Sequence, residues 1–392
     1  MLRRTAVVGL MSLCILSALA APGYSAEPKD LKIGIICTLS GPGVSWGLAV
    51  KRGAELAIDE VNQAGGLKVG NDVYKITTIA YDDQFSGKGG VAAANRLVFE
   101  DKVKFIIGTN SAASVIAAQE VTEPNHVIVM TDGYGAKVLS PNKPYTFRVT
   151  PTTTEFAIPM TAWVAKNHPN AKTVAVVSPN DEAGWDIQQI VIKGYEAAGV
   201  KVIHHDFYER GTKDFFPLLT RALGTRPDIL DIDGSNPGEA GVLIRQARQL
   251  GFKGLIVKTG GPGVEEIVRV AGTGAAEGFV FYSPVSLEDP AYKKFLDTYE
   301  AKYGTREADP LTPLFYDGTK LLLSAMKKAG TLDVEAVKKT LEGIKEFQGL
   351  FGKNVLTGKD VYGIAHQVDA PFYIGRIING QPTTVAKIEV AK

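Results

Sequence analysis

Apolar runs of strand length alternate with amphipathic helical stretches along almost the whole chain, and that alternation leaves few architectures open. "LKIGIICT" (31–38) is such a run. "SWGLAVKRGAELAIDEVNQAGG" then spaces its apolar residues as a helix does and ends at Gly65-Gly66, a stop signal. "VYKITTIAYDD" is the next strand, and "GKGGVAAANRLVFEDK" the next helix. "VKFIIGT" with its helix and then "HVIVMT" continue the series. Apolar strands separated by helices predict a parallel sheet covered on both faces.

The pattern restarts after Pro151, with "TVAVVSP", "KVIHHDFY", "DILDIDG" and "LIVKTG" as strands between helices. A chain of 392 residues also exceeds what one compact core usually serves. The expected fold class is therefore α/β, with two doubly wound Rossmann-like lobes. "SPNKPYTFRVTPT" and "AEGFVFYSPVS" are extended stretches suited to crossings between them. Three helices without intervening strands follow the second crossing and suit the uncovered face of the first lobe. The tail, from "GLFGKNVLTG" onward, has β-type alternation and is assigned to the second lobe. The expected division is 27–147 plus 280–345 for the N-terminal lobe and 148–279 plus 346–392 for the C-terminal lobe.

Ligands of open α/β sheets bind beyond the carboxyl ends of the strands, where the strand order switches. With a first-lobe order of 2-1-3-4-5, the loops at the switch are "LSGPGVSWG" (39–47) and "GTNSAAS" (108–114). Both are rich in glycine and hydroxyl groups and run into helices, an arrangement suited to a small anionic group at a helix N-terminus.

Residues 1–26, "MLRRTAVVGLMSLCILSALAAPGYSA", read as a cleavable secretory signal peptide, with a basic start, an apolar run and small residues after it. Cleavage after Ala20 or after Ala26 would each fit. Arg3-Arg4 permits a twin-arginine route but does not establish one. Cys14 does not suit lipid attachment, because Leu13 precedes it and the apolar run continues beyond it. The remaining cysteine, Cys37, lies in a strand pattern and reads as a small buried hydrophobe. The expected product is exported to the periplasm. A formal net charge of +1 leaves no footprint for nucleic acid.

Motifs of other chemistries fail in their context. Gly43-Val44-Ser45-Trp46-Gly47 matches G-x-S-x-G, but a hydrolase elbow needs its serine directly after a strand, and this one comes well past Thr38. Ser45 reads instead as a helix N-cap. Gly41, Gly43 and Gly47, with Asp82 or Asp83 further on, miss the spacing of the dinucleotide fingerprint. There is no P-loop, and the five histidines lack metal-ligand spacing. No catalytic residue, cofactor or metal is expected. Trp46, Tyr134 in "TDGYGA" and Trp185 in "NDEAGWDI" fall near strand ends and could wall a cleft with aromatic rings.

Several segments together carry a family resemblance: "KIGIICTLSGPGVSWGLAVKRGAELAIDEVNQAGGL", "YDDQFSGKGGVAAANRLV", "VKFIIGTNSAAS", "KDFFPLLTRAL" and "GEAGVLIRQARQLGF". Over nearly all of the mature chain it resembles the type I periplasmic solute-binding proteins of ATP-binding-cassette transporters, in the branched-chain amino acid group. The resemblance implies a three-crossing hinge, closure over a small solute, a membrane permease as partner, a monomer and no catalysis. A module that senses its ligand and presents the closed lobes to a receptor, instead of a permease, would use the same closure. The positions it implies for the ligand are Trp46, Asn110, Ser111, Ala112, Gly133, Tyr134, Gly135, Trp185, Asn236 and Gly260. Ala112 stands where that group offers a serine, Gly135 where it offers a threonine, and Gly260 where it offers the acid for an ammonium. Backbone N–H groups of Ser111, Ala112 and Gly135 could still hold a carboxylate. Without the acid, an aromatic or other non-amino carboxylate is expected, unless Asp132 or Glu239 supplies it.

Overall fold

The computed structural model describes residues 27–41 and 43–388, so the expected signal peptide lies outside the described residues. The first lobe opens with β1 (Lys29–Cys37), α1 (Val44–Gln63), β2 (Leu67–Val69), β3 (Asp72–Asp82) and α2 (Gly87–Asn95). It continues through β4 (Phe105–Ile107), α3 (Ala112–Thr122), β5 (Ile128–Thr131) and β6 (Thr146–Arg148). The second begins with α4 (Thr153–Asn167), β7 (Thr173–Pro179), α5 (Glu182–Ala197), β8 (Lys201–Tyr208) and α6 (Phe216–Gly224). Then come β9 (Ile229–Asp231), α7 (Pro237–Gln249), β10 (Leu255–Lys258), α8 (Val264–Ala271), the short α9 (Thr273–Ala276) and β11 (Val280–Ser283). Three helices follow: α10 (Pro290–Tyr303), α11 (Thr312–Ala329) and α12 (Val334–Glu342). The chain ends with β12 (Phe347–Gly349), β13 (Gly352–Thr357), α13 (Lys359–Tyr362), β14 (Gln367–Asp369), β15 (Phe372–Ile378) and β16 (Gln381–Ile388).

The strands form two sheets, ordered β12-β13-β14-β6-β5-β4-β1-β3-β2 and β16-β15-β11-β10-β9-β7-β8. The centre of the first runs β3-β1-β4-β5-β6, all parallel, which places the switch between β1 and β4 as expected. Buried side chains of β1, β4 and β5 pack with those of α1, α11 and α12 in one core, so two of the three trailing helices cover the first sheet, while α10 packs against α1 in a separate cluster. Separate cores lie on the two faces of the second sheet.

Two assignments change. The tail divides between the sheets instead of joining the second. Its first half adds β12, β13 and β14 to the first sheet, with Gln367 in register with Arg148 of β6, and its second half adds β15 and β16 to the second. β11, expected at the start of a first-lobe segment, pairs with β10 and β15 in the second sheet. Strand alternation shows that a segment will pair, but the partner is chosen by long-range packing. The chain thus passes between the sheets three times, after β6, after β11 and between β14 and β15.

Candidate functional site

The site is built where the loops after β1, β4 and β5 face the loops after β7, β8, β9 and β10. On the first-lobe side, Asp83 is fully buried and ties the strand ends together. One of its oxygens accepts from Thr38 Oγ1 at 2.7 Å and the other from Thr109 Oγ1 at 2.6 Å. Thr109 Oγ1 accepts in turn from the Ser111 N–H at 3.0 Å. Two glycines are required by close approach. A Cβ on Gly47 would lie 1.8 Å from the Thr38 carbonyl oxygen, and one on Gly108, at φ 109°, would lie 1.9 Å from that of Ile36.

This frame leaves unfilled valences facing the cleft. Ser111 caps α3 by accepting from the Ser114 N–H at 3.3 Å. The N–H groups of Ala112 and Ala113, in the first turn, have no intrahelical acceptor. Asn110 is 7% exposed, and neither atom of its amide has a partner. Asp132 is 1% exposed with Oδ1 unpartnered. Burial holds its carboxyl well above the usual carboxylate range, the charge of Asp309 adds to that, and Arg148 opposes it. Buried polar groups without partners are uncommon in folded proteins and point to something that completes them.

On the second-lobe side the charged groups at the cavity wall are matched, while Asp233, behind Gly260, is fully buried with both carboxylate oxygens unpartnered. Arg210 donates from Nε to Asp181 at 2.5 Å and from Nη1 to the Gly234 carbonyl at 3.2 Å. Behind it, Glu239 accepts from Gly211 N–H at 2.7 Å and Tyr208 OH at 3.1 Å. Lys258 is fully buried, donates to the carbonyls of Gly260 and Gly261, and is pushed down to about 7 by burial.

The two sides touch. Trp46 Nε1 donates to the Pro262 carbonyl at 3.0 Å. Phe85 lies 6.1 Å from the Trp46 ring, and the Arg210 guanidinium lies 5.0 Å from the centre of Phe85. Nearby, Ala136 N–H donates to Asp186 at 2.9 Å, and Lys137 pairs with Glu182 at 2.6 Å. Between the sides is a cavity. Its walls include Trp46, Phe85, Tyr134, Ile187, Pro262 and Leu311, with Asn110, Ser111, Asp132, Asp181 and Arg210 as the polar groups. Mostly apolar walls and a few convergent polar groups suit a small organic solute.

Comparison with known proteins agrees with this geometry. Residues 30–382 match the family described as periplasmic binding protein. The chain belongs to the periplasmic binding protein family. Within that family it groups with the type I branched-chain amino acid binders. It is 29% identical to the leucine-, isoleucine-, valine-, threonine- and alanine-binding protein of Pseudomonas aeruginosa, over 83% of this chain and 87% of that one. A Leu/Ile/Val-binding protein of Rhizobium johnstonii is 30% identical, over 88% and 92%. The branched-chain amino acid transporter substrate-binding protein of Streptococcus pneumoniae, solved with isoleucine, superposes with a TM-score of 0.79 at 26% identity, over 93% and 100%. As a periplasmic binding protein of this group, the chain captures a small solute outside the cytoplasm and works with a membrane permease.

Of the positions expected from sequence, this binding protein brings Trp46, Asn110, Ser111, Ala112 and Tyr134 to the cavity. The Ser111 N–H is already committed to Thr109, so it is not a free donor. Gly133 and Gly135 stand outside the wall. The Gly133 N–H donates to Thr131 at 3.1 Å and the Gly135 carbonyl accepts from Arg148 at 2.9 Å. Trp185 is no wall. It is 45% exposed, with Nε1 on Asn180 at 2.8 Å, because α5 turns Ala183 and Ile187 inward and residue 185 outward. Asn236 caps α7 through the Glu239 N–H at 2.9 Å, and Glu239 is engaged around it, and neither lines the cavity. Gly260 sits behind Gly261, and a Cβ there would meet Asp233 Oδ1 at 2.9 Å. Ser45 lies inside α1, which is capped at Gly43, and His366 bonds to the Thr146 carbonyl and Glu342 instead.

Phe85, Asp181 and Arg210 were missed. Each lies within a few residues of the carboxyl end of β3, β7 or β8, where the strand-end rule alone would have flagged it.

Proposed function

We propose that the chain binds an apolar α-amino acid of the leucine type as a zwitterion. The observation that carries this reading is the pair of buried, unpartnered groups, Asn110 and Asp132, in one cavity with the free first-turn N–H groups of α3. The ligand carboxylate sits at Ala112 and Ala113 N–H and the Asn110 amide, where the helix end favours an anion. The ammonium meets Asp132, which supplies the acid absent at Gly260. An ammonium beside Asp132 returns it to its ionised form, so the group held neutral by burial gains a counter-charge when the ligand arrives. The apolar side chain lies against Trp46, Phe85 and Leu311.

One observation favours a second reading. Trp46, Phe85 and Tyr134 offer three rings, and a protonated Asp132 could donate a hydrogen bond, which together suit an aromatic carboxylate. Titration calorimetry of Asp132→Asn separates the two. Leucine binding should weaken about 100-fold with the ion pair lost. Unchanged leucine affinity, or benzoate binding that the substitution spares, would reverse the order of the readings. The proposal includes a monomer, brought to the periplasm by residues 1–26 and delivering its ligand to a permease.

A further inference from the structure

We infer that Arg148 is a positioning residue that orients the peptide through which the first lobe grips the second. Arg148 ends β6, where the first crossing begins, and it is fully buried. Among the described residues no carboxylate forms an ion pair with it, an unusual state for a buried guanidinium. Its partners are a side-chain amide, a backbone carbonyl and a ring. Nη1 donates to Gln367 Oε1 at 2.7 Å, Nη2 donates to the Gly135 carbonyl at 2.9 Å, and the guanidinium stands 4.9 Å from the centre of the Tyr362 ring.

The Gly135 carbonyl and the Ala136 N–H belong to one peptide unit. That N–H donates to Asp186 Oδ2 at 2.9 Å, in the first turns of α5 on the opposite lobe. A cation on the carbonyl end and a carboxylate on the N–H end fix the plane of this peptide. Each also polarises it toward the other, so the two bonds strengthen together. Gln367, the other anchor, lies on β14 beside the third crossing. Arg148 therefore joins two hinge-bearing strands to the cross-lobe contact, next to the Lys137–Glu182 pair. A surface ion pair alone holds a lobe weakly. A peptide locked by a buried guanidinium moves only when the hinge moves.

This inference rests on the reading of the chain as a hinged binder, and not on which ligand it takes. It is tested by amide hydrogen exchange of the ligand-free protein. In Arg148→Met, protection of the Ala136 N–H should fall about tenfold while amides of β5 and β7 keep theirs. In an Asp186→Ala background the same substitution should add nothing at Ala136, and Arg148→Lys should restore part of the protection. Equal loss across β5 and β7, or the same further loss in the Asp186→Ala background, would mean that Arg148 merely supports the fold and would overturn the inference. If Arg148→Met does not fold, Gln367→Leu loosens the same guanidinium and should reduce Ala136 protection in the same selective way. Unaltered Ala136 protection there would also overturn it. Leucine affinity measured on the same variants should drop severalfold in each single variant and no further in the double one. A wild type that fails to bind leucine rejects the ligand proposal and leaves the exchange comparison to decide on Arg148.

Discussion

The two walls of the cleft are built on the same strand-loop-helix plan and treat their polar groups in opposite ways. The first-lobe wall holds donors and acceptors with nothing to bond: Asn110, Asp132 and the first turn of α3. The second-lobe wall brings more charge, yet where it lines the cavity Arg210, Asp181 and Glu239 satisfy one another and Lys258 is bound to its own loop, and the one acid left without a partner there, Asp233, lies behind Gly260. Unfilled valences select a ligand, whereas filled ones keep a surface rigid. The difference assigns recognition to the first lobe and closure to the second.

Four substitutions would break or sharpen that division. Arg210→Met should be the most damaging. It leaves Asp181 and Glu239 facing each other without their cation and should cost about 3 kcal/mol of stability in denaturant titrations. If the loss appeared only in ligand affinity, the second wall would be a recognition surface after all. Asn110→Leu should do the reverse. Calorimetry should show ligand binding weakened by about 2 kcal/mol, and the ligand-free protein should gain about 1 kcal/mol, because an unpartnered buried amide is removed. Trp46→Phe keeps the ring and loses the bond to the Pro262 carbonyl. It should weaken binding by about 1 kcal/mol, read as faster ligand release in stopped-flow fluorescence.

The smallest effect on ligand binding belongs to a control away from both walls. Burial pushes Asp317 from 3.8 up to about 7, opposed by the Leu350 N–H and the charge of Lys320. The folded state therefore holds this proton more tightly than the unfolded one, and stability falls as pH rises from 4 through 7. Asp317→Asn should raise the melting temperature by about 5 °C at pH 8, with the gain shrinking toward zero near pH 4. Ligand affinity should not change. A gain of the same size at both pH values would show that Asp317 does not titrate as its burial implies.

Much of this was legible in the sequence, for local reasons. "IIGTNSAASVIAAQ" announced a strand, a glycine, a short polar stretch and a helix, and two of these have a short-range cause: Gly108 takes a positive φ that favours glycine, and Ser111 caps its own helix. What failed depended on distant partners. The pairing of Gln367 with Arg148 joins residues far apart in the chain, so strand alternation could not place β14. The direction of Trp185 turned on a single helical step. Asp132 could be named as a substitute acid, but only the fold separates it from Glu239, which is spent on Tyr208, Gly211 and Asn236.

The central claim is that the first-lobe wall reads both charges of a zwitterion. The most direct test compares leucine with 4-methylpentanoate, which has the same side chain and carboxylate but no ammonium, in one calorimetric titration series against the wild-type protein. The claim requires leucine to bind about 100-fold more tightly. Equal affinity, or tighter binding of the acid without the amine, would contradict it.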